Sequence, residues 1–202
     1  MRSARNILSQ KSLTSLYYSL IHSHLIYGIQ VWSSCNNEAV NSLFKLQKKA
    51  IRIIHSLPYN GHTESYFKIS NILPLPKLIE FFKLQFMQQF ANGFLPGRFE
   101  LVWTTNALRN ENDPPYRLRN HNELYLPISR LTTLNKHPLY SFPKSWAEFT
   151  EYDIKIQRDK TIFNTMLKKH FISSLQENYT CNRLLCMSCH LRHDNLDTTD
   201  SE

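Results

Sequence analysis

Glycine is scarce in this chain, with four in 202 residues. That argues against a fold built on tight β-turns and favours a helix-rich one. No apolar run reaches the roughly 18 residues that a membrane-spanning helix needs, so no membrane association is expected. The opening stretch MRSARNILSQKS has no signal-peptide core. Cysteine is sparse too. There are four, three of them between residues 181 and 189, which is no disulfide framework. A reducing, intracellular setting, cytoplasmic or nuclear, is the expectation. Recognisable catalytic motifs are also lacking. The chain has no Gly-rich phosphate loop, no HExxH and no Gly-x-Ser-x-Gly. No Asp-Asp dipeptide occurs, and Tyr152-Asp153-Ile154, the nearest approach, lacks the second acid. The clustered carboxylates that hold paired cations for phosphoryl transfer are therefore not evident.

Acidic residues are few in the first half. Residues 1–95 carry ten Lys/Arg against three Asp/Glu, a net +7. Residues 96–202 carry fourteen against thirteen, a net +1, so nearly all of the chain's +8 sits in the first half. Hydrophobic content of 42% and aromatic content of 12% argue for folding rather than disorder. The length allows one or two domains with a real core.

What is present centres on residues 13–57, which read as two amphipathic helices joined by a short polar break. In the second, Val40, Leu43, Phe44, Ala50, Ile51, Ile54 and Leu57 fall on one helical stripe. Lys45, Lys48, Lys49 and Arg52 also repeat at helical spacing. At about 100° per residue they point away from the stripe. One face seeks a core and the other gathers positive charge. Such a patch suits a polyanion, phosphate backbone above all. A merely solvated, solubilising face is the plain alternative.

The blocks SLYYSLIHSHLIYGIQVW (15–32), LFKLQKKAIRII (43–54), GHTESYFK (61–68) and NILPLP (71–76) resemble, in order and spacing, the segment that follows the catalytic palm in reverse transcriptases of LINE-type, non-LTR retrotransposons, jockey-like elements among them. The resemblance covers roughly 15–95 and is looser beyond. Pro143 and Trp146 match a downstream P-x-x-W of such chains. In that family the segment is the helical thumb, packed against primer–template. The resemblance therefore implies RNA or an RNA–DNA duplex as partner, together with a reverse-transcriptase palm domain. The aromatic-x-Asp-Asp turn of the family's catalytic palm is missing, so this chain alone is expected not to be an enzyme.

The expected fold is mainly all-α: a helical bundle of three long helices plus a C-terminal helix, with an irregular Pro-rich middle. The expected division is a thumb-like domain over 1–95, an irregular linker over 96–152, a basic helix over 153–176 and a Cys/His-containing tail over 177–202. The first helix is placed at Thr14–Trp32, with Leu13, Leu16, Tyr17, Leu20, His24, Tyr27, Gly28 and Val31 on its stripe and Ile21, Leu25 and Ile29 widening it. Gly28 is read there as permitting close backbone approach. His22 and His24 fall on different faces and are read as packing or capping groups. Asn36 or Asn37 is expected to cap the second helix, which stops by Leu57 ahead of Pro58. Thr63 caps a short helix, a reading preferred over a His62–Glu64 catalytic pair. The third long helix spans 75–93, with Gly93 as its stop. Its aromatics are read as core rather than as stacking platforms. Cys35 is read as an inert thiol, and Arg117 and Arg119 as a solvated pair.

The tail reads CNRLLCMSCHLRH over 181–193. Cys181, Cys186 and Cys189 with His193 make an acceptable tetrahedral zinc set, His190 being the alternative imidazole. The spacing is not that of a zinc knuckle, although the resemblance implies a Cys/His knuckle at about this position. A structural zinc and a metal-free tail both stay open. The leading expectation is a non-catalytic thumb and C-terminal segment that grips nucleic-acid backbone through Lys45, Lys48, Lys49 and Arg52. The rival is a helical protein-interaction domain with no nucleic-acid role.

Overall fold

A computed structural model describes residues 5–34, 37–100, 102–105, 124–126 and 130–175. The described chain is mainly helical. Its only extended pairing among the described residues is an isolated bridge between Thr105 and Leu124. The chain divides into two compact units. One comprises residues 1–27, 41–75 and 170–202, the other residues 28–40 and 76–169.

The first long helix of the sequence reading is broken. Helix α1 runs Gln10–Leu16, capped by the Ser9 side chain, and passes into a π-helical turn over Tyr17–His22. Helix α2 (Ser23–Ile26) follows, and α3 (Ile29–Trp32) is a separate single turn. The reason for the π turn lies in the spacing. Leu13 and Tyr17 belong to the core of the first unit, Ile21 packs against it and Leu25 is buried too, each four residues from the next. In an ideal α-helix a four-residue step overshoots a full turn by about 40°, so such a row drifts round the axis. The wider π turn takes up that drift and keeps the row on one face. Leu20, Tyr27 and Val31, placed on the stripe by simple periodicity, are exposed instead. The break comes at Gly28, whose φ of +60° is left-handed. A Cβ there would meet nothing nearer than 3.9 Å. This glycine therefore serves backbone conformation and not close approach.

Helix α4 (Asn37–Ile54) carries the basic face, α5 spans Glu64–Ile69 and α6 spans Leu75–Ala91. Thr63 occupies the position before α5, but its side chain makes no capping bond. The core of the first unit gathers Leu13, Tyr17, Ala50, Ile51, Ile54, Phe67, Ile72 and Leu175. Burying one large aliphatic side chain contributes about 1.5–3 kcal/mol, so this cluster is what fixes the orientation of α4.

Part of the segment expected to be irregular is helical. Helix α7 runs Thr132–Lys136 and α8 runs Pro138–Glu148. Pro143 lies inside α8 and has no N–H for the carbonyl four residues back. That carbonyl, Leu139 O, accepts instead from the Trp103 indole Nε1–H at 3.2 Å. Met87, Trp103 and Phe142 form the second unit's aromatic core, flanked by Phe86, Phe90 and Phe99. The aromatics of α6 are thus packing groups, as expected. The C-terminal helix begins later than expected. Helix α9 is a single turn, Tyr152–Lys155, and α10 runs Lys160–Ser173. Asp159 starts α10 by accepting from the N–H groups of Thr161 (2.7 Å) and Ile162 (3.1 Å). A bond from the Thr161 hydroxyl, with these two backbone bonds behind it, holds the Asp159 carboxyl below the usual range.

Candidate nucleic-acid interface

On α4 the buried side chains are Gln47, Ala50, Ile51 and Ile54, one narrow stripe at helical spacing. Lys45 and Lys49 are exposed on the opposite side, while Lys48 and Arg52 are half-buried on the flank. The structure thus keeps all four cations on one helix and turns them from the core. They are not equivalent. The Lys48 ammonium sits over the Phe44 ring, 4.3 Å from its centroid, a contact of about 0.5–1 kcal/mol. Arg52 donates from Nε to the Gly61 carbonyl at 2.9 Å. It also lies in the last turn of α4, where a cation complements the helix dipole, as Glu38 does in the first. Arg52 therefore has a structural task that Lys45 and Lys49 lack. Among the described residues no carboxylate comes within ion-pair distance of Lys45, Lys49 or Arg52.

The residue that sequence reading missed is Gln47. It sits in the apolar stripe and is fully buried. Its Nε2 donates to the Tyr17 hydroxyl and to the Leu73 carbonyl, both at 2.9 Å. Its Oε1 accepts from the Leu75 N–H at 2.8 Å. Leu75 is the first residue of α6, so a side chain of α4 satisfies one of that helix's orphan donors. Pro76, next in line, has no N–H to satisfy. The sequence signal was a lone polar residue flanked by Leu43, Phe44, Ala50 and Ile51. Burial lifts the Tyr17 phenol to about 12, and the Gln47 bond pulls the other way. Gln47 thus locks the back of α4 while the cations face outward.

A second polar cluster brings a histidine beside a serine. His55 Nε2 lies 2.5 Å from Ser70 Oγ, and His55 Nδ1 lies 3.0 Å from Gln10 Nε2. Burial lowers the His55 pKa. A serine beside a histidine suggests a nucleophile and its base. Yet the N–H groups of Ser70, Asn71 and Ile72 all bond to carbonyls within the α5 end turn. None is left to hold an oxyanion beside Ser70. The cluster ties α1 to the ends of α4 and α5.

Among the described residues no group of three His, Cys, Asp or Glu could hold a metal ion. The proposed zinc ligands Cys181, Cys186, Cys189 and His193 lie outside the described residues, as do His190, Cys35, Arg117 and Arg119. His22 packs on the rings of Tyr17 and Tyr18, whereas His24 is exposed, so the two do not converge. No helix among the described residues is long and apolar enough to cross a membrane. Against this geometry, comparison with family models, with curated proteins and with solved structures found no match.

Proposed function

We propose that this chain is a non-catalytic, nucleic-acid-gripping segment of the kind found as the thumb and C-terminal part of LINE-type reverse transcriptases. It would hold the backbone of RNA or of an RNA–DNA duplex beside a palm domain that this chain does not supply. The observation carrying the reading is the pair Lys45 and Lys49. They are exposed one helical turn apart, and no carboxylate among the described residues neutralises them. Behind them a stripe centred on Gln47 pins the helix. Charges so held meet phosphates without regard to base, giving sequence-tolerant, salt-sensitive binding. Lys48 joins from the flank and Arg52 is mainly an anchor.

The test is duplex binding measured across a salt series. Each lost phosphate contact removes about 0.9 from the log–log salt slope. The variant Lys45→Gln/Lys48→Gln/Lys49→Gln should therefore flatten the slope by roughly two to three. Arg52→Gln should chiefly lower stability. An unchanged slope in the triple variant would dismiss the patch. A specific observation also favours the protein-interaction reading: α4 leaves part of its apolar surface facing water.

A further inference from the structure

That uncovered surface is a groove of about 500 Å³ inside the first compact unit. One wall comes from the π turn and α2, with Leu20 and Leu25. The other is the α4 row Leu43, Leu46, Ala50 and Ile53. The row steps by three, four and three residues, the spacing of a coiled-coil seam. It shares Ala50 with the buried stripe and otherwise runs beside it. Leu46 is 56% exposed and Leu20 54%, so two large apolar side chains stand open at the lips. Ala50, small and buried, also lines the groove. Gln47 lies on the same lining, but its amide is already bonded on both sides, so that part of the groove asks for no polar partner.

Charge selects the occupant. In the heptad that makes Leu43 and Ala50 equivalent, Lys49 falls on the flank next to the seam, where a facing helix places its own charged residue. Lys49 lines the groove, and Lys45 is exposed one turn before it. A second copy of α4 is a poor occupant. Residues 41–54 contain no acid, so it would set lysine against lysine. We propose that the groove is the docking site for an amphipathic helix of another protein, apolar along one face and carrying carboxylates on the flank that meets Lys49 and Lys45. Such a helix would complete a three-helix packing in the helix-in-groove manner. It would also compete with polyanion for these two lysines.

The probe is a labelled synthetic helix of Leu, Ala and Glu, with Leu on one face and Glu on its flanks. Its control carries Lys in place of Glu. Binding is read by fluorescence anisotropy on the full 202-residue chain. The Glu helix should bind at least tenfold more tightly than the Lys helix. Leu46→Asp should weaken it tenfold or more with an unchanged melting temperature, since Leu46 is largely outside the core. Lys49→Glu should erase or reverse the flank preference. Leu46→Ser, which adds no charge beside Lys45 and Lys49, should also weaken the Glu helix while leaving duplex binding as in the parent chain, which separates failure here from failure of the nucleic-acid reading. Equal binding of both helices, or indifference to Leu46→Asp, would overturn the proposal. So would a Leu46-dependent dimer in sedimentation, which would put a second copy in the groove. A tenfold gain on changing Asp194, Asp197 and Asp200 to Asn would overturn it too, by assigning the groove to the chain's own acidic end.

Discussion

At the scale of single residues the hinge of the first unit is Gln47, and two predictions follow from its bonds. In Gln47→Leu the volume is nearly kept while Leu75 N–H, Leu73 C=O and the Tyr17 hydroxyl lose their partner. Each buried group left unpaired costs about 1–3 kcal/mol, so urea denaturation should show a loss above about 2 kcal/mol. A loss under about 0.5 kcal/mol would mean that water replaces the amide. The second concerns Tyr17, whose phenol is raised from 10.0 to about 12. Above pH 10 the unfolded chain releases this proton and the folded one keeps it. Stability should therefore fall between about pH 10 and 12, by at most about 1.4 kcal/mol per pH unit. Below pH 10 both states keep the proton and the contribution is whole. Tyr17→Phe should remove that component of the alkaline fall, measured against the parent chain in parallel denaturation series. The place of Gln47 within the apolar stripe was there to be read in the sequence, but its partners and the effect on Tyr17 were not. A glutamine at residue 47 reads as a surface residue until the stripe around it is seen to bury it, and hydroxyl and carbonyl partners some thirty residues away in the chain leave no local mark.

At the scale of elements, three helices end the same way and the sequence announced one. After α6, Gly93 takes a φ of +71°, with Phe94 N–H bonded to Gln89 O and Gly93 N–H to Phe90 O. After α4 the same pair of bonds closes round Ser56 (φ +53°), from Leu57 N–H to Arg52 O and from Ser56 N–H to Ile53 O. After α5 it closes round Asn71 (φ +53°). This is the Schellman ending, in which the left-handed residue is usually glycine. Gly93 was readable because glycine is the expected residue. Ser56 was not, because Pro58 by itself already accounts for α4 stopping. A serine in the left-handed region is strained, which gives the element its own prediction. Ser56→Gly should stabilise the chain by about 0.5–1 kcal/mol, the net of relieved strain and a looser unfolded state. Ser56→Val should destabilise by about 1 kcal/mol or more, because a β-branched residue tolerates positive φ worst. Thermal unfolding would check both, and a Gly variant no more stable than the parent would mean the end turn is already relaxed. Long periodic helices such as α4 and α6 were legible. The broken first helix was not, because its four-residue row of core positions looks like a continuous α stripe until the π turn is seen. Nor was α8, whose Pro143 reads as a breaker when the indole that serves Leu139 is unknown.

At the scale of the whole molecule the question is whether binding answers to a place or to a total. A chain of net +8 is drawn to any polyanion, and bulk charge alone predicts that any three cations removed are equivalent. The patch reading predicts otherwise. Arg158, Lys160 and Lys169 are exposed cations of the second half, where positive and negative charges nearly balance. Replacing those three by Gln changes the net charge as much as replacing Lys45, Lys48 and Lys49 does. On the patch reading only cations that meet phosphate release counterions. On that reading the Arg158/Lys160/Lys169 triple variant should keep a duplex salt slope within about 0.5 of the parent, whereas the α4 variant loses roughly two to three. Both should elute alike from a cation-exchange resin, which reads total charge more than arrangement. If the two variants lose slope equally, the attraction belongs to the chain's sum of charge. The face of α4 would then be a solvated surface over a well-locked helix.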